Sequence, residues 1–303
     1  MTSTTSAETP LAERTLSFSP RPFLSRIPLY AYLGALLNAL AWVSSWARVG
    51  PWPYAFFPLW LGFILVLDGL NVARTGTSLL RRGRWRFVML FVYSSPFWWI
   101  FEALNLPVAN WHYRFDRPYS LLAYIVITSL DFSTVLPAVM EMAELLSSVP
   151  VLRPRLRPPD VGPRARVVPA LTLMGVGLVM IWLPIQAPRL AFGLVWLCLI
   201  FLLDPINNLA RRKSALGHLL ARDWRFFVTL PLAALCTGFF WEMWNSRALP
   251  GWYYTVPLVN TAPHLFAMPL PGYLGYLPFG VELFVMYQFA LLVTRQRKDS
   301  LTI

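Results

Sequence analysis

Along this chain, long apolar runs alternate with short polar gaps. The apolar runs are about 20 residues each, enough for a helix rising 1.5 Å per residue to cross roughly 30 Å of hydrocarbon. They predict helices near residues 27–47, 53–73, 87–107, 120–147, 167–186, 190–210, 226–246 and 272–293. The expected fold class is therefore an all-α integral membrane protein of about eight transmembrane helices. Residues 1–26 read as a polar tail without the apolar run of a signal peptide. Residues 27–149 and 167–294 read as two four-helix repeats, joined by a basic, Pro-rich linker at 150–166 and followed by a basic tail at 295–303.

The repeats emerge from the polar positions. Trp60, Leu67, Asp68 and Asn71 recur as Trp196, Leu203, Asp204 and Asn207 at a constant offset. After a short insertion Trp85, Arg86 and Phe87 match Trp224, Arg225 and Phe226, and small drifts then align Glu102 and Asn105 with Glu242 and Asn245, and Trp111 and Tyr113 with Trp252 and Tyr254. Four spans per repeat is an even number, so both copies enter the bilayer from the same side. A pseudo-two-fold axis along the membrane normal is the consequence.

Composition agrees with bilayer as the solvent, since 57% of the 303 residues are hydrophobic and 13% charged. The net charge of +12 raises nucleic acid as a partner. Placement argues against it. All but Arg48, Arg114, Arg117, Arg189 and Arg247 of the 26 cations fall in alternate gaps, as the positive-inside rule demands with both termini cytoplasmic. A multi-pass protein of a bacterial cytoplasmic (inner) membrane is the expected location, with membrane lipids as its surroundings. Cys198 and Cys236 fall inside predicted spans and read as small buried side chains, not a disulfide. No His or Cys spacing suggests metal ligands, and no phosphate loop or Ser elbow is present, so the expectation is no metal and no cofactor.

Carboxyls within a membrane need a partner, a cavity or a function. Asp68 and Asp204, with Asn71 and Asn207 three residues on, read as structural polar positions paired with loop arginines such as Arg74, Arg86, Arg211 or Arg225. Glu102 and Glu242 lie in the outer part of their spans, and Asp131 and Glu282 reach similar depth from the outer side. Aligned on Phe132 and Phe279, Asp131 and Glu282 differ by one helical turn and face a shared interior. Exclusion from water favours the protonated form of a carboxyl, so these acids suit proton donation. The same acids also suit interhelical hydrogen bonding or ion conduction. Glu141 and Glu144 lack counterparts in the second half. Trp98, Trp99, Trp111, Tyr113, Trp241, Trp244, Trp252, Tyr253 and Tyr254 sit where an aromatic belt is expected, and their place beside the acids also suits an apolar pocket that stabilises a carbocation.

Trp241-Glu242, Asn245, Trp252-Tyr253-Tyr254 and Pro278-Phe279-Gly280-Val281-Glu282 resemble the lycopene cyclase domain of carotenoid pathways, with an echo in Glu102, Trp111 and Tyr113. Glutamate stands where that family has aspartate, and the Pro-x-Glu-Glu of the family is loosened here. The resemblance implies a sister family acting on another isoprenoid: a cofactor-free membrane isoprenoid or polyene cyclase, an intramolecular lyase or isomerase. Glu242, Glu282, Glu102 and Asp131 would be catalytic, and Asn105, Asn245, Trp111, Tyr113, Trp241, Trp252 and Tyr254 would hold a hydrophobic isoprenoid or other lipid-like substrate. Two alternatives from other classes are a proton-coupled or cation transporter and a noncatalytic membrane scaffold. An occluded apolar chamber distinguishes the first reading from both.

Overall fold

The computed structural model describes residues 23–149, 164–296 and 299–301. The tail before residue 23 and most of the expected linker, 150–163, lie outside the described residues, as do Arg297 and Lys298. The protein is an all-α membrane protein. Among the described residues six helical segments are long and apolar enough to cross a bilayer: Phe56–Thr75, Arg84–Val108, Leu121–Ser147, Pro188–Leu209, Trp224–Asn245 and Leu270–Val293.

In chain order the helices are α1 (Leu29–Ala47), α2 (Phe56–Thr75), α3 (Leu79–Arg82), α4 (Arg84–Val108), α5 (Leu121–Phe132) and α6 (Val135–Ser147). They continue with α7 (Arg164–Gln186), α8 (Pro188–Ala191), α9 (Cys198–Leu209), α10 (Ala215–Leu220), α11 (Trp224–Asn245) and α12 (Tyr276–Val293). The strands are β1 (Trp111–Arg114), β2 (Gly251–Tyr254), β3 (His264–Leu265) and β4 (Met268–Pro269). Helix α1 presents Leu29, Leu33, Leu36, Leu40 and Val43 outward, all more than half exposed, a row at helical spacing that only lipid satisfies. Close packing fixes the small residues on its other side. A Cβ on Gly62 of α2 would sit 2.5 Å from the Gly34 carbonyl oxygen of α1, and one on Gly280 of α12 would sit 2.2 Å from the Leu230 oxygen of α11.

Two spans are broken, and each break is closed by a side chain. Pro137 has no N–H to give to the carbonyl four residues earlier, so α5 and α6 separate at Ser133 and Thr134. Ser94 of α4 spans the gap, donating to the Phe132 carbonyl at 2.6 Å and accepting the Leu136 amide at 2.9 Å. In the second half the helix begins late: α8 gives way to a 3-10 segment, Phe192–Trp196, and α9 starts only at Cys198. Its early Leu199 amide donates to the Glu282 carboxyl of α12 at 3.1 Å.

At one end of the bundle two short helices are capped from the membrane side. Asp68 accepts the Leu80 amide at 3.0 Å and the Tyr30 hydroxyl, and Asp204 accepts the Ala215 and Leu216 amides at 2.7 Å each. This corrects the expected pairing with loop arginines. An ordered backbone amide at the start of α3 or α10 satisfies a carboxylate at less entropic cost than a long side chain does. Among the described residues the only arginine paired with a buried acid here is Arg82, at 2.9 Å from Glu144. Asn71 donates to the Glu141 carbonyl (3.0 Å) and carboxyl (2.7 Å) of α6, and Asn207 donates to the Val285 carbonyl of α12 at 2.9 Å.

At the other end β1 and β2 form an antiparallel ribbon, pairing Trp111 with Tyr254, His112 with Tyr253, Tyr113 with Trp252 and Arg114 with Gly251. An asparagine at the end of each long helix holds its strand. Asn105 accepts the Asn110 amide at 2.7 Å and donates to the Trp111 carbonyl at 2.9 Å; Asn245 accepts the Trp252 amide and donates to the Trp252 carbonyl, both at 2.8 Å. Asn245→Ala breaks both bonds and is expected to cost about 1–3 kcal/mol, lowering the thermal midpoint in detergent, whereas a surface change such as Tyr253→Phe leaves it in place.

Candidate functional site

Period-two alternation puts Trp111, Tyr113, Trp252 and Tyr254 on the same face of the ribbon, over the helix ends. Beneath them lies a chamber of about 490 Å³. Its walls come from both halves: Phe56 of α2, Trp98 of α4 and Tyr124 of α5 on one side, Trp196, Trp241 and Tyr276 on the other. The rings brace one another. Trp196 stacks on Phe101 at 5.4 Å and lies 5.5 Å from Trp111, and Trp241 stacks on Tyr276 at 6.1 Å. Among the described residues no Lys, Arg or His lines the chamber, and Asp131 is the one carboxyl in its wall.

Glu102 and Glu242 stand immediately behind that wall. Glu102 Oε1 accepts the Tyr113 hydroxyl at 2.5 Å and the indole N–H groups of Trp98 and Trp111 at 2.8 and 2.9 Å. Glu242 is fully buried, and its Oε1 accepts the hydroxyls of Tyr254 at 2.6 Å and Tyr276 at 2.8 Å; the Trp252 indole in turn donates to Tyr254 at 2.8 Å. Glu242 Oε2 has no partner among the described residues. Burial, and then the adjacent Glu102, push the Tyr113 hydroxyl well above its ordinary value, and burial and Glu242 do the same to Tyr254. Both phenols therefore stay protonated and donate to their carboxyls, turning their rings to the chamber with the carboxyls one hydrogen bond behind.

The four expected acids thus divide. Asp131 is in the wall, where the Phe57 amide in the first turn of α2 approaches its carboxyl. Glu102 and Glu242 reach the chamber through tyrosines. Glu282 does not line it: one turn beyond Phe279, its Oε1 is spent on the Leu199 amide, and its other oxygen is buried without a partner. Asp131 lines the chamber and Glu282 does not, so the two do not share the expected interior; Glu282 meets the first turn of α9 instead. Of the residues expected to hold substrate, Trp111, Tyr113, Trp241, Trp252, Tyr254 and Asn245 line the chamber; Asn105 does not, and both asparagines are occupied in holding the ribbon. Asp68, Asn71, Asp204 and Asn207 lie at the opposite end.

Two wall residues, Tyr276 and Trp196, escaped the pattern, as did the bond that Trp98, expected beside the acids, makes to Glu102. Tyr276 shares Glu242 with Tyr254, Trp98 shares Glu102 with Tyr113, and Trp196 is part of the wall. The i, i+4 spacing of Trp98 and Glu102 on one helix was a usable signal. Tyr276 gave none, being a tyrosine at a span boundary. Among the described residues no group of three His, Cys, Asp or Glu side chains is placed to hold a metal ion.

No protein-family model, curated protein or solved structure matches the chain. The resemblance to the lycopene cyclase domain rests on the residues quoted for it.

The role of Glu282 is separable by substitution. Glu282→Gln retains an oxygen for the Leu199 N–H and is expected to melt within about 1 kcal/mol of the wild type, whereas Glu282→Leu strands that amide and costs about 1–3 kcal/mol, read from thermal unfolding in detergent.

Proposed function

We propose that the protein is a membrane-embedded cyclase for a neutral isoprenoid or polyene, working by carboxyl acid–base chemistry in the chamber beneath the ribbon. The observation that carries this is an aromatic chamber with one carboxyl in its wall and two more held one tyrosine hydroxyl away. Asp131 gives its proton to an alkene or epoxide of the substrate. The carbocation that forms closes a ring under the faces of Trp98, Trp196, Trp241 and Trp252, whose quadrupoles favour positive charge. Glu102 and Glu242 add negative charge close behind. Loss of a proton to the Tyr254–Glu242 pair leaves an isomer of the substrate, and proton return to Asp131 completes the cycle.

Composition of the wall narrows the substrate. With no cation in it, the chamber offers nothing to a diphosphate or carboxylate head group. At about 490 Å³ the chamber is in the size range of a small-molecule site and suits a short isoprenoid or one end of a longer one. A chamber of this kind is what a purely structural set of hydrogen-bonded acids would lack, and its aromatic wall is poorly suited to a hydrated ion.

The reading includes the duplication. The symmetric register of the ribbon, the asparagine locks and the Asp68 and Asp204 caps support two parallel four-helix repeats about an axis through the His112–Tyr253 pair. Adding α1 and α7 to the six long apolar segments gives eight spans. The basic end is then cytoplasmic, with both termini, in a bacterial inner membrane, and the ribbon faces outward.

Lipid extracts of a host making isoprenoids from about C15 to C40, with and without the protein, test the function. A cyclic isomer of a host isoprenoid is expected only with the protein. Glu242→Gln and Asp131→Asn are expected to abolish it in folded protein, and Glu282→Gln to leave it. Unchanged product from the first two removes those acids from the mechanism. For orientation, a single cysteine at Arg114 in a background without Cys198 and Cys236 is expected to react with an impermeant maleimide from outside the cell, and one at Arg212 only after lysis.

A further inference from the structure

The two halves differ where their second long helix meets the chamber. Phe57 and Gly193 are equivalent by the offset that matches Trp60 with Trp196. In the first half α2 runs unbroken from Phe56 and carries a phenyl ring at this position. In the second half the same stretch is the 3-10 segment Phe192–Trp196, with no side chain at Gly193. Irregular backbone at membrane depth persists where it lines a cavity, and this segment does so: Phe192, Gly193 and Trp196 all belong to the chamber wall.

Gly193 is exposed and belongs to the chamber wall, so backbone alone stands at this point of the lining. A Cβ built on Gly193 meets no atom within 4 Å. Leu274, another wall residue, is 64% exposed, and Leu190, one turn before Gly193, is 77% exposed. Exposed leucines around an opening place it against lipid, not water. Glu282, by taking the Leu199 amide, lets α9 begin beyond the gap and so keeps the segment unwound without a stranded donor.

We infer that the Phe192–Trp196 segment is a lateral portal through which the chamber takes its ligand directly from the bilayer, with Gly193 as the residue that sets its width. This rests on the reading of the chamber as an apolar ligand site. Gly193 and Leu274 each combine exposure with a place in the chamber wall, so a ring placed at Gly193, as Phe57 places one in the first half, closes the route without touching the acids.

The test uses the full chain in lipid vesicles containing farnesol that carries a diazirine, irradiated at successive times, with cross-linked peptides located by mass spectrometry. In the wild type, Gly251–Tyr254 and Trp241 are expected to be labelled, and unlabelled farnesol to compete. Gly193→Phe and, independently, Leu274→Trp are expected to slow chamber labelling by about tenfold or more, the scale on which association rates vary among variants of one site. Labelling of the lipid-facing row on α1 serves as the internal reference and stays constant, and Gly193→Ala behaves as wild type. Wild-type rates in both bulky variants, or a loss of final labelling without any slowing, overturn the portal while leaving the chamber reading intact. No competed chamber labelling in the wild type overturns the chamber reading and the portal with it.

Discussion

In hydrocarbon a polar group without a partner costs several kcal/mol, and this single constraint governs where the chain can be irregular. Several departures from a straight helix in the described residues are matched by a buried polar side chain from a neighbouring element. Ser94 joins the halves of the span broken at Pro137, Glu282 receives the Leu199 amide of the late-starting α9, and Asn105 and Asn245 hold the ribbon. Asp68 and Asp204 do the same for the short helices at the basic end. Polar residues that would be liabilities in a bilayer are what permit a structure other than a plain bundle.

The chamber follows from those permissions. Helices ending under a ribbon leave space that side chains must fill, and the sequence supplies large rings at those positions. Indole and phenol groups present apolar faces to the space and direct N–H and O–H groups away from it, toward Glu102 and Glu242. A largely apolar chamber can thereby sit next to buried carboxyls. Helix α2 is continuous where the stretch before α9 is unwound, and that difference falls in the chamber wall.

Much of this was legible in the sequence, and the reasons are physical. Apolar runs of bilayer length located the helices to within a few residues, α7 beginning at Arg164 against an expected 167. The repeated Glu, Asn, Trp and Tyr positions marked the ribbon end because each is costly in lipid unless it has a task. What could not be read was which partner each polar group takes. Asp68 and Asp204 looked like partners for nearby arginines, yet short helices α3 and α10, of four and six residues, are too brief to show a periodicity and offer backbone amides instead. Glu282 looked like a companion to Asp131 from the alignment of Phe132 with Phe279 and an offset of one turn, and nothing in that alignment shows the Leu199 amide that Glu282 takes. Tyr276 carried no pattern of its own, since its hydroxyl meets Glu242 only through the packing of α12 on α11.

The most direct test of a chamber that accepts an apolar ligand is anomalous scattering from a crystal of the protein grown with a terminally brominated farnesol. The account predicts a bromine peak enclosed by Trp241, Tyr254 and Phe279, beneath the ribbon. Bromine confined to the outer lipid-facing surfaces, with ordered water filling the enclosed space, would contradict it.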